Sequence, residues 1–116
     1  MRRGSGGLLL ALAALSGAVA VAAGAFGAHG AAGRAAELLR TGAMYQLIHA
    51  VAAVGVLGRK NGQGPAWLFV AGGALFAGTL YAMAFGFPRW LGAVTPLGGL
   101  AMIAGWLWLA AGALRR

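Results

Sequence analysis

The chain has 116 residues, of which 61% are hydrophobic and only 9% charged, with a net charge of +8 and no cysteine. A water-soluble domain carries roughly 25% charged residues, so this composition excludes an ordinary soluble fold, and the missing thiols exclude disulfides, iron–sulfur clusters and cysteine nucleophiles. The positive charge does not point to nucleic acid, because the basic residues sit at the ends of apolar runs and form no stripe along one element.

The charges leave four uncharged intervals, residues 4–33, 41–58, 61–88 and 90–114. Each can supply an apolar helix of roughly 17–25 residues, enough to cross about 30 Å of hydrocarbon. The expected fold is therefore all-α, an integral membrane four-helix bundle. Residues 1–116 form a single transmembrane domain with helices near 7–28, 35–57, 65–86 and 92–113.

Met1-Arg2-Arg3, the apolar run from Leu8 and the small residues Ser16 to Ala20 imitate a secretory signal peptide. The run continues to Phe26, however, which is long enough to span, so an uncleaved first helix is expected. Gly17, Ala20, Gly24 and Gly27 fall in one stripe along it, where a neighbouring backbone can approach closely. Gly30 and Gly33 punctuate its end. Arg34, Glu37 and Arg40 follow at three-residue spacing, favouring a solvated or interfacial turn that leads into the second helix.

In the second helix Tyr45, Gln46 and His49 lie at i, i+1 and i+4 and share one side. Polar groups facing lipid would go unsatisfied, so this side is expected to turn inward, toward the His29 end of the first helix. After the connector Gly58-Arg59-Lys60-Asn61-Gly62, Gly64-Pro65 opens the third helix, which carries Gly72, Gly73, Gly78, Thr79 and Tyr81. Thr95-Pro96 then starts or kinks the fourth helix, because proline disfavours helix before it and removes a backbone donor. Gly98, Ala101, Gly105 and Gly112 make a second small-residue stripe, with Trp106 and Trp108 directed away from it. Gly27, Gly78, Thr79, Thr95, Pro96 and Gly98 are the expected packing or kink positions.

Several of these stretches resemble one known family. Gly24-Ala25-Phe26-Gly27-Ala28-His29-Gly30, Tyr45-Gln46 with His49, residues 73–81, and Val94-Thr95-Pro96-Leu97-Gly98-Gly99-Leu100 with Gly105-Trp106 are similar to the small membrane proteins called domain of unknown function 423. The resemblance runs from Gly24 to Trp106. It implies a four-helix protein of the bacterial inner membrane with relatives among small eukaryotic transmembrane proteins, and it brings no activity.

His29, Tyr45, Gln46 and His49 form the candidate functional polar face. Histidine with tyrosine could move protons, and two histidines could ligate haem or a metal. Yet no motif of a defined reaction is present, and Glu37, the sole carboxylate side chain, already has two arginine neighbours. No enzyme activity, catalytic residue, metal or cofactor is expected. The expected role is structural or interactive within the lipid bilayer, in a homo-oligomer or larger membrane complex. The alternative is a subunit of an oligomeric transporter or channel using the polar face. Arg2, Arg3, Arg59, Lys60, Arg115 and Arg116 oppose Arg34, Arg40 and Arg89, which places both termini in the cytoplasm.

Overall fold

The computed structural model describes residues 5–115. They form α1 (Ser5–His29), α2 (Gly33–Val56), α3 (Gln63–Ala84) and α4 (Thr95–Leu114), with a 3₁₀ segment Arg89–Ala93 before α4. The connections are too short for anything but antiparallel neighbours.

Local chemistry sets the ends. Gly33 opens α2 at φ +61° and Asn61 turns the next connector at φ 64°. At the end of α3, Phe87 N–H donates to Ala82 O at 3.0 Å and Gly86 N–H to Met83 O at 3.1 Å. With Gly86 at φ +97° this is a Schellman cap, which satisfies carbonyls that the helix itself leaves open. The fourth helix begins at Thr95 and not near residue 92, because residues 89–93 are wound as 3₁₀ turns. Pro96 occupies its first turn, where a missing N–H breaks no bond, so the helix starts there without a kink.

α2 and α3 form the centre, with α1 against α2 and, less extensively, α3, while α4 packs on α3. The small-residue stripe of α1 is the seam with α2: a Cβ built on Gly27 would lie 3.1 Å from the Leu39 Cβ, and one on Gly24 3.5 Å from the Ala43 Cβ. The adjacent Gly72 and Gly73 of α3 face two different neighbours. Gly73 receives α2 at Gln46 and His49, while Gly72 receives α4 at Gly98 and Ala101. The α3–α4 crossing is backbone on backbone, since a Cβ on Gly98 would come within 2.6 Å of the Gly72 carbonyl oxygen. Gly78 and Gly112 play no such part, because a Cβ on either meets nothing within 4 Å.

Leu9, Ala13, Ala53, Val56, Ala66, Phe69 and Val70 make the apolar core at the end holding the α2–α3 connector. Leu8, Leu15, Val21, Val51, Leu100, Ile103 and Leu107 point outward. Leucines can stand on the outside because lipid tails solvate them as well as a protein core does, while small residues at the seams let the helices approach closely.

Among the described residues, three helical stretches are long and apolar enough to cross a membrane by length and composition: Gly6–His29, Gln63–Ala84 and Arg89–Leu114. α2 falls short because Arg34 and Glu37 crowd its first turns and its remaining length carries Arg40, Tyr45, Gln46 and His49. It nevertheless lies along the whole of α1, from the Val56 end beside Leu9 to Leu39 beside Gly27. A helix of 24 residues extends about 36 Å, so α2 is long enough to span beside its partners. The described chain is 47 Å long, close to the roughly 40–45 Å of a bilayer with its headgroups. Arg34, Glu37 and Arg40 are not joined by ion pairs among the described residues, as suits exposed charges in water.

Candidate functional site

The polar side chains of the helices meet near mid-depth in two connected sets. Gln46 of α2 is buried and uses both ends of its amide: Nε2 donates to Ser16 Oγ of α1 at 3.0 Å, and Oε1 accepts from Tyr81 OH of α3 at 2.7 Å. Three helices are thereby tied through one side chain.

One turn further along α2, His49 faces α4. Trp106 Nε1 donates to His49 Nε2 at 3.0 Å, while His49 Nδ1 lies 2.7 Å from the Tyr45 carbonyl oxygen. An indole N–H can only donate, so Nε2 must accept and the proton sits on Nδ1, where it is donated to Tyr45 O. The neutral tautomer is thus assigned by its two partners. Phe69 of α3 completes the setting, with its ring centroid 5.6 Å from His49 and 4.6 Å from Trp106.

A third contact joins α3 to α4 near the other end. Thr79 Oγ1 and Thr95 Oγ1 are 2.6 Å apart, with Phe76 O 3.0 Å from the first and Leu91 O 3.2 Å from the second. Two hydroxyls have two protons for these three contacts. The distances favour Thr95 donating to Thr79 and Thr79 donating to Phe76 O. A buried Thr–Thr bond thus fixes the start of α4 against α3.

The expected face is only partly assembled. Gln46 and His49 turn inward, but Tyr45 is 42% exposed and packs its ring against Phe76 at 4.9 Å. Residues i and i+1 are about 100° apart on a helix, and the inward sector here is narrower than the expected face. His29 is exposed at the last residue of α1. It lies 13 residues beyond Ser16, about 20 Å along the axis, so the partner of Gln46 on α1 is Ser16 and not the His29 end. Ser16, Tyr81 and Trp106 are the members that the sequence reading did not place. Ser16 carried a usable signal as the only polar side chain among residues 6–28. Trp106 carried none, because its outward ring still turns its N–H back to His49.

Among the described residues no buried side-chain polar atom lacks a hydrogen-bond partner, and no group of three or more His, Cys, Asp or Glu could hold a metal ion. Neither His49 nitrogen has a lone pair free for a metal or haem iron while these bonds stand.

An all-helical chain with outward leucines and internally satisfied polar groups is an integral membrane protein. A family model described as "Protein of unknown function (DUF423)" matches residues 23–99, and the chain belongs to that family. It is 36% identical over 83 residues to the UPF0382 inner membrane protein YgdD of Escherichia coli K12, covering 66% of this chain and 63% of that one. It is 36% identical over 86 residues to the UPF0382 membrane protein YwdK of Bacillus subtilis, covering 68% and 70%. A UPF0382 membrane protein of Staphylococcus haemolyticus is 41% identical over 70 residues, covering 56% and 57%. The chain thus spans about three fifths of the length of the Staphylococcus and Escherichia relatives. No solved structure matches the chain. Ser16 lies outside the family match, whereas Gln46, His49, Thr79, Tyr81 and Thr95 lie inside it.

Proposed function

We propose that this protein is a small structural or interaction component of the membrane, and that its polar side chains serve the bundle rather than a substrate. One observation carries the reading. Gln46, His49, Tyr81, Thr79 and Thr95 are each engaged by a partner on a neighbouring helix. A transport path or catalytic centre needs polar groups whose bonding capacity is open to a passing solute, proton or substrate, and this network offers little. We further infer an inner-membrane orientation with both termini in the cytoplasm, from an even number of crossings and six basic residues against three.

The test pairs cellular phenotype with the amount of folded protein in the membrane for His49→Leu and Gln46→Leu. A bundle-locking role predicts that phenotype follows folded protein, and that raising expression of either variant restores function. Loss of function at an unchanged folded level would instead favour a subunit of a transporter or channel. Mass measurement of the intact assembly with its native lipids separates the same readings: a homo-oligomer enclosing a wet path would sink the structural one.

A further inference from the structure

The network leaves the basic end of the bundle unexplained. There a cavity of about 510 Å³ opens between the α2–α3 connector and the last turns of α4, within the range of ligand-sized clefts. Arg59, Lys60 and Asn61 form one wall, Trp108 and Leu109 another, and Arg115 closes the rim. Trp108 is held in place because its ring lies across Gly64, where a side chain would collide with it. The three cations are exposed and have no ion-pair partner among the described residues. The chain's single acidic side chain, Glu37, stands in the first turns of α2, 22 residues before Arg59 and about 33 Å away by helical rise.

The cavity is therefore amphipathic, with cations around its mouth and an indole and a leucine on its wall. It lies where apolar helix gives way to basic residues, at the level of lipid headgroups. Basic pockets between membrane helices suit the headgroups of anionic lipids. A zwitterionic headgroup fits less well, because its ammonium would meet three positive charges. We propose that this cavity is a binding site for an anionic phospholipid, with the phosphodiester against Arg59, Lys60 and Arg115 and the glycerol backbone along Trp108 and Leu109. The site is independent of the role assigned to the polar network.

The experiment uses the full chain in detergent, titrated with phosphatidylglycerol or phosphatidylcholine, reading retained lipid by native mass spectrometry and Tm by thermal unfolding. Phosphatidylglycerol should be retained and raise Tm; phosphatidylcholine should do neither. Each cation replaced by glutamine should weaken binding about fivefold, so R59Q/K60Q/R115Q should lose on the order of a hundredfold. R34Q/R40Q/R89Q removes the same charge from the opposite end and should bind as the wild type does. Equal retention of both lipids would overturn the site, as would equal losses in the two triple variants. Inorganic phosphate reproducing the Tm shift without lipid would overturn the lipid as its occupant.

Discussion

Replacing Gln46 by leucine tests whether one side chain ties three helices. Leucine keeps most of the buried volume, so the substitution removes the bonds to Ser16 and Tyr81 without opening a large cavity. Interhelical hydrogen bonds in membranes average about 0.6 kcal/mol and reach about 1.7, so losing two should cost about 1.2 kcal/mol, with a ceiling near 3.4 kcal/mol. The stranded groups fare differently. Ser16 can turn its hydroxyl to a carbonyl one turn back on α1, as serine does within helices. Tyr81 keeps a hydroxyl inside the bundle with no partner of its own, so Tyr81→Phe should be less harmful in the Gln46→Leu background than in the wild type. A double-mutant cycle over Gln46→Leu and Tyr81→Phe, measured by reversible unfolding in mixed micelles, should give a coupling of about 0.6 kcal/mol. Additivity within about 0.3 kcal/mol, or greater stability for Gln46→Leu alone, would refute the reasoning.

His49→Gln can still present an acceptor near the Nε2 position and should retain the bond to Trp106. His49→Asn can reach only the Tyr45 carbonyl, so stability should fall in the order wild type, Gln, Asn, Leu, and quenching of Trp106 fluorescence should separate Gln from Asn. Gly98→Ala should destabilise by about 1–3 kcal/mol, the usual cost of overpacking, because its new methyl meets the backbone of α3 at Gly72 and Phe76. Gly78→Ala, with open space around it, should leave thermal stability unchanged or raise it; the reverse order for the two glycines would overturn the α3–α4 crossing. Intact mass of the purified protein should show residues 1–20 retained, since cleavage after Ala20 would remove the buried Leu9, Ala13 and Ser16 from the core. Reporters fused after Arg116 and in the connector at Gly62 should both report the cytoplasm, and a periplasmic signal from either would reverse the inferred orientation.

The spacing of charges along the sequence was enough to identify an all-helical membrane protein, because hydrocarbon leaves apolar helices few alternatives and pushes arginine to the interface. The glycines of α1, Thr95-Pro96, and the inward turn of Gln46 and His49 were legible for related reasons: small residues permit close backbones, proline cannot continue a helix backward, and polar groups avoid lipid. Which helix each polar group would find was not legible. Partner choice depends on the rotation and axial offset of whole helices, and those follow from the summed packing of small residues at the seams. Sequence position put His29 near the polar face, whereas the α1–α2 register put Ser16 opposite Gln46. The same tertiary geometry brings the Trp106 N–H back to His49 and thereby assigns the imidazole tautomer, which no spacing along one helix can do. It also brings Arg115 to Arg59 and Lys60, which lie far from it in the chain, around one cavity, because antiparallel helices return the end of α4 to the end of α2.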